Sequence, residues 1–220
     1  ERKQMAYFPM FIDLNGQSCL IVGGGKVALR KVLVLLDFGA EITVVAPAVT
    51  EEIRALEADF SDRLTIVPRA FAKTDIEGQT LVIAATDDAE FNHEIARLCR
   101  EHKIPVNAVD QIEDCSFIFP SYVKKNELVA AFSSAGNSPV MTQYLKERMS
   151  GIMTDELGAL TGLLGSIRDE VKAKVSTEAK RKQVYREILS LGLCENRLPT
   201  DKEISGIIAK YRQLRNSQLS

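Results

Sequence analysis

Cys19-Leu20-Ile21-Val22-Gly23-Gly24-Gly25-Lys26-Val27-Ala28 is the stretch on which the fold turns. A short apolar run enters a glycine-rich turn, and a helical repeat begins directly behind it. The pattern G-x-G-x-x-A assigns Gly23 to a tight turn, Gly25 to a close approach of backbone to phosphate, and Ala28 to helix–strand packing. Bare backbone amides and the positive end of the helix then make an anion site, suited to a nucleotide pyrophosphate. Glycine triplets also occur in ordinary strand-to-helix loops, so the flanking sequence has to decide.

Downstream, Val27, Leu29, Val32, Leu33, Leu35 and Leu36 repeat at helical spacing, and Gly39 stands where a helix end wants a left-handed residue. Glu41-Ile42-Thr43-Val44-Val45 is short and β-branched, so residues 19–45 read as one βαβ unit. Such a unit usually carries an acid at the end of its second strand to hold the adenosine ribose. Ala46-Pro47-Ala48 occupies that place. Neither an acid nor an arginine there separates NAD from NADP, and backbone around Pro47 and Ala48 is left to hold the ribose.

Residues 64–67, 80–85 and 105–109 continue as third, fourth and fifth strands, with helices near residues 50–58 and 90–102. The expectation is a doubly wound, Rossmann-type parallel α/β sheet over residues 1–114. Ligands in such sheets lie beyond the carboxyl ends of the strands. Thr86-Asp87-Asp88 and Asn107-Ala108-Val109-Asp110 therefore face the crevice of the glycine turn. Asp87 or Asp88 serves as the cap of the next helix; Asp110 has no such role.

Beyond residue 114 the pattern changes. Residues 116–120 and 128–132 read as strands joined by a turn at Lys124-Lys125-Asn126-Glu127, without an Asn-Gly signal. The loop Ser133-Ser134-Ala135-Gly136-Asn137-Ser138-Pro139 leads to a helix ending near Met149, with Ser138 as N-cap and Pro139 at its first position. Residues 115–150 form this small β/α segment. Residues 151–220 form a helical domain of three helices, the second ending at Leu191-Gly192 and the third capped by Thr200-Asp201. Its lysines and arginines read as a solvated face.

The chain has 220 residues, a hydrophobic content of 45% and a net charge of -2. That suffices for a real core and gives no general attraction to nucleic acid. The cysteines Cys19, Cys99, Cys115 and Cys194 lack any C-x-x-C spacing, so they read as buried reduced thiols rather than zinc ligands or disulfides. No apolar run approaches the ~20 residues of a membrane span. A cytoplasmic protein is expected, with a trimmed or tagged start before Met5. His93 and His102 lie on a helix and read as surface or capping residues.

Six motifs in order carry a resemblance: Tyr7-Phe8-Pro9-Met10-Phe11, the glycine turn through Lys31, residues 84–88, residues 107–110, residues 116–120 and residues 133–139. Together they resemble the precorrin-2 dehydrogenase family of siroheme biosynthesis. The resemblance implies NAD-dependent oxidation of precorrin-2 to sirohydrochlorin. In some relatives it also implies ferrochelatase activity, with ferrous or cobaltous ion as substrate, and no bound metal is expected. It further implies a homodimer with a dimerisation segment at residues 115–150. Asp110 matches the family's catalytic aspartate. Gly23, Gly24, Gly25, Lys26, Val27, Pro47 and Ala48 resemble its cofactor contacts, with Thr86 and Asn107 around the nicotinamide. Ser134 matches a substrate-binding serine, and Lys124, Lys125, Lys146 and Arg148 are candidates for the substrate's carboxylates. Two other classes remain open: an NAD-sensing regulatory subunit, and a chelatase without dehydrogenase activity.

Overall fold

Alternation along the first strand, β1 (Ser18–Val22), sets up two apolar faces. Cys19 and Ile21 enter one hydrophobic cluster, while Leu20 and Val22 enter the other, and all four are buried. A strand covered on both faces reads as a continuous apolar run, the mark of a parallel sheet with helices on each side. In this computed structural model, residues 7–213 are described, and the start expected before Met5 lies outside them. The chain divides after Phe119 into two compact units.

The first unit alternates strand and helix: α1 (Lys26–Asp37), β2 (Glu41–Val45), α2 (Glu51–Asp59), β3 (Leu64–Val67), β4 (Leu81–Ala84), α3 (Ala89–Glu101) and β5 (Val106–Ala108). The five strands are parallel in the order β3-β2-β1-β4-β5. The doubly wound sheet expected from the sequence is therefore present, with its order reversing between β1 and β4. In open sheets of this kind ligands bind at such a switch point, beyond the carboxyl ends of the strands. Ala28, Val32, Leu35 and Ile53 pack one face; Ile95, Ala96 and Cys99 pack the other. Gly39 ends α1 at φ 76°, with its amide on the Leu36 carbonyl and the Ala40 amide on the Leu35 carbonyl. That is the Schellman arrangement, which requires a left-handed residue there.

Residues 116–120 are not the strand expected of them. Ser116 takes up the ladder position beside β5, its hydroxyl accepting from the Val106 amide at 2.7 Å and its own amide donating to the Val106 carbonyl at 2.8 Å. Phe117 and Phe119 then turn into the core, ring centroids 5.4 Å apart.

In the second unit the hairpin is β6 (Ser121–Lys125) against β7 (Leu128–Phe132). Lys124 and Lys125 belong to β6, not to the turn, which is only Asn126-Glu127. Asn126, at φ 52°, supplies the left-handed residue such a two-residue turn needs. Helix α4 (Pro139–Ile152) starts as expected: the Ser138 hydroxyl accepts from the Met141 amide at 3.2 Å, and Pro139 takes the first position. Four helices follow where three were expected: α5 (Asp155–Ser166), α6 (Arg168–Lys174), α7 (Glu178–Glu195) and α8 (Asp201–Gln213). The first expected helix breaks at Ile167, whose side chain joins the core of Val171, Val184, Ile188, Ile204 and Ile208. Helix α7 runs through Gly192 and ends at left-handed Asn196; a Cβ at Gly192 would press on Leu160, so that glycine makes room for packing and does not stop the helix. Thr200 and Glu203 form a reciprocal capping box at the start of α8.

Candidate functional site

Each glycine of the turn has its own reason. Gly23 adopts φ 119°, and a Cβ there would collide with the Ala85 carbonyl oxygen beyond β4. Its amide donates to the Val45 carbonyl at 3.0 Å. A Cβ at Gly24 would strike the Ala48 carbonyl oxygen, and the Gly24 carbonyl accepts from the Thr50 amide at 2.9 Å. The turn is thus wedged between the ends of β2 and β4. Gly25 differs, since nothing lies within 4 Å of a Cβ built on it. Protein packing does not demand glycine at that position, and open space is what a ligand's approach requires.

Gly25 caps α1 without a side-chain acceptor, and no acidic residue occupies the first turn. The amides of Lys26, Val27 and Ala28 make no hydrogen bond among the described residues. Helix amides left bare at a positive dipole end fit the pyrophosphate of a dinucleotide. At the end of β2, Pro47 and Ala48 are exposed, and neither acid nor base stands in residues 46–50. The Thr50 hydroxyl there is buried without a partner among the described residues. Sequence reasoning missed Thr50; its only signal was its place ahead of Glu51-Glu52 at a helix start.

Beyond β4, Asn92 organises Thr86. Its Oδ1 accepts from the Thr86 hydroxyl at 2.7 Å and amide at 3.2 Å, and its Nδ2 donates to the Thr86 carbonyl at 3.0 Å. Asn92 is buried in step with Ile95, Ala96 and Cys99, a polar residue on the apolar face of α3, and that pattern was legible. Asp88 caps α3 through the Phe91 amide at 3.0 Å. Beyond β5, the Asn107 amide group donates to the Phe117 carbonyl at 3.1 Å and to Cys115 Sγ at 3.4 Å. Asp110 follows in an exposed turn at φ 61°, and its carboxylate makes no hydrogen bond or ion pair among the described residues. The next residue, Gln111, donates to the Ala89 carbonyl at 2.8 Å and so ties this turn to the start of α3.

A second tie lies below it. Asp114, 4% exposed, is 2.8 Å from His93 Nδ1 and accepts from Arg100 at 3.1 Å. Burial alone would raise the Asp114 pKa; the hydrogen bonds and charges of His93 and Arg100 outweigh it and hold the carboxyl below the usual range. His102 caps α3, its Nδ1 on the Leu98 carbonyl. On α1, Lys31 lies 3.7 Å over the Phe119 ring. Burial, then repulsion from Arg30, lowers its pKa to about 8 against the opposing pull of Cys115. Burial pushes the thiols of Cys19 and Cys99 up to about 11. The expectation of four buried thiols fails at Cys115, half-buried, and at Cys194, exposed.

Ser134, Lys124 and Lys125 lie in the second unit. The Ser134 hydroxyl accepts from the Ser138 amide at 2.9 Å, in a loop where Ala135 and Gly136 are both left-handed. Lys125 pairs with Asp155 at 2.7 Å. Lys146 lies over the Tyr122 ring and Arg148 over the Tyr144 ring. Among the described residues no cluster of three or more His, Cys, Asp or Glu converges on a metal position, and no helix is long and apolar enough to cross a membrane.

Residues 10–121 match the family model described as "Putative NAD(P)-binding". A siroheme synthase of Thioalkalivibrio sulfidiphilus is 40% identical over 84% of this chain and 37% of its own length. One from Tolumonas auensis is 38% identical over 91% of this chain and 42% of its own. The chain thus spans about two fifths of the length of these curated relatives. Among solved structures, "SirC, precorrin-2 dehydrogenase" superposes with a TM-score of 0.75 at 27% identity, covering 93% of this chain and all of that one.

Proposed function

Because the chain belongs to the NAD(P)-binding family whose model matches its residues 10–121, we propose that it is an NAD-dependent precorrin-2 dehydrogenase that forms sirohydrochlorin. One observation carries the reading: an anion-binding turn of bare amides and an unpaired carboxylate, Asp110, both follow carboxyl ends of strands in one parallel sheet. The likeness to a precorrin-2 dehydrogenase along nearly the whole chain supports it.

Gly23, Gly24, Gly25, Lys26 and Val27 hold the pyrophosphate, and Pro47 and Ala48 hold the ribose. Thr86 and Asn107 flank the nicotinamide. NAD, when bound, accepts the hydride. Oxidation of the reduced macrocycle also releases a ring proton, which Asp110 takes up as a general base. Ser134, Lys124 and Lys125 bind the substrate. The protein works in the cytoplasm as a homodimer whose dimerisation segment is residues 115–150. Helix α4 supports that assignment, because none of its residues is buried although Val140, Met141, Tyr144 and Leu145 are apolar and exposed.

The test is anaerobic mixing of the protein with precorrin-2 and NAD, following NADH and the tetrapyrrole spectrum together. NADH formed in step with sirohydrochlorin is expected. No NADH with either NAD or NADP would overturn the reading and favour a nucleotide sensor. Adding ferrous or cobaltous ion to the product then tests for chelation.

A further inference from the structure

Within the helical unit, α6 and α7 wall an open cavity of about 650 Å³. Arg168, Lys172, Arg181, Lys182 and Arg186 line it, against the single acid Glu178. Five cations gathered on one cavity are conspicuous in a chain of net charge -2. The sequence reading, a solvated face, accounts for their exposure but not for their convergence.

Several other cations of the same unit are neutralised locally: Lys174 pairs with Glu170, Lys210 with Glu187, and Arg197 with Glu203. In the cavity, Arg168, Lys182 and Arg186 have no ion-pair partner among the described residues, and Lys172 stands 3.9 Å from Asp169. Arg181 is fixed without a carboxylate: it donates to the carbonyls of Val175 at 2.7 Å, Ser176 at 3.3 Å and Lys172 at 3.4 Å. Those bonds hold the α6–α7 connection in place and with it the wall of the cavity. Leu164, Tyr185 and Leu189 complete the lining, and Leu164 and Tyr185 also pack on the unit's core. The cavity therefore joins an apolar surface to a cluster of five cations with a single acid among them.

We infer that this cavity binds a ring-bearing polycarboxylate: guanidinium forks suit carboxylates, and the tyrosine and leucines suit an apolar body. The tetrapyrrole of the proposed reaction is such a molecule, and only that identification rests on the functional reading. A small inorganic polyphosphate shares the charge but not the apolar body.

Calorimetric titration with an octacarboxylate porphyrin, and separately with sodium tripolyphosphate, tests the site. A background protein carrying Ser134→Ala, Lys124→Gln and Lys125→Gln, which removes the substrate contacts proposed above, is compared with the same protein carrying Arg168→Gln, Lys182→Gln and Arg186→Gln in addition. The variant with the additional changes is expected to bind the porphyrin at least ~10-fold more weakly, a change about one power of ten in Kd, while NAD affinity stays unchanged as the control for folding. Binding by the background protein should also weaken as salt is raised, since exposed charges are screened. Equal porphyrin affinity in both proteins overturns the site. Tighter binding of tripolyphosphate than of porphyrin overturns its assignment to polycarboxylates. Loss of porphyrin binding in the variant, in a protein that shows no dehydrogenase turnover, sustains the cavity while sinking the proposed reaction.

Discussion

Asp110 sits left-handed in an exposed turn, and its carboxylate has no hydrogen-bond or ion-pair partner among the described residues, which suits the proton acceptor proposed above. Asp110→Asn keeps the size and removes the base, so kcat should fall ~10²- to 10⁴-fold with NAD affinity nearly unchanged, as read by steady-state kinetics and NAD titration. The two inner glycines make opposite predictions. Gly24→Ala drives a Cβ into the Ala48 carbonyl and should lower thermal stability as well as NAD binding. Gly25→Ala meets no protein atom, so its melting temperature should hold while NAD binding weakens. Lys31 gives a pH signature. Its folded pKa, about 8, lies below the ordinary 10.5, so the unfolded chain binds more protons between those values. Stability should rise with pH across that window, and Lys31→Met should flatten the rise in denaturant titrations. The glycine pattern and Asp110 were legible in the sequence. The burial of Lys31 under Phe119 and of the Thr50 hydroxyl was not, because each depends on what distant segments lay over it.

Strands and helices whose period is long were read closely from the sequence: α1 repeats its apolar face over three turns, and β1 is apolar throughout. The errors fell where a single hydrogen bond or glycine changes the outcome, as at Ser116 beside β5 and Gly192 against Leu160. The tie between α3 and Asp114 belongs to this scale. Its carboxyl is held below the usual range, so its contribution is complete above the unfolded value of ~3.9 and is lost as pH falls through the folded one. Asp114→Asn should cost about 1–3 kcal/mol near neutrality and make acid unfolding shallower, as measured by circular dichroism against pH. Helix α4 presents Val140, Met141, Tyr144 and Leu145 to solvent. If that face joins two copies, Tyr144→Glu should shift sedimentation from dimer to monomer; an unchanged dimer would place the interface elsewhere.

At the scale of the molecule, each unit has its own hydrophobic core, two sheet faces in the first and the Ile188-centred cluster in the second. NAD at ~100 times its Kd should stabilise the unit that holds it by ~2.7 kcal/mol. Calorimetric scans should then show a nucleotide-dependent transition in the first unit. The order of elements and the glycine turn were determined by sequence alone, because each is a local pattern of spacing, size and backbone permission within a few residues. The hold of Asn92 on Thr86, the clamp of His93 and Arg100 on Asp114, and the gathering of five cations between α6 and α7 were decided only by the tertiary structure. Each requires side chains from separate turns or segments to meet, and hydrophobic burial of the apolar faces determines which ones do.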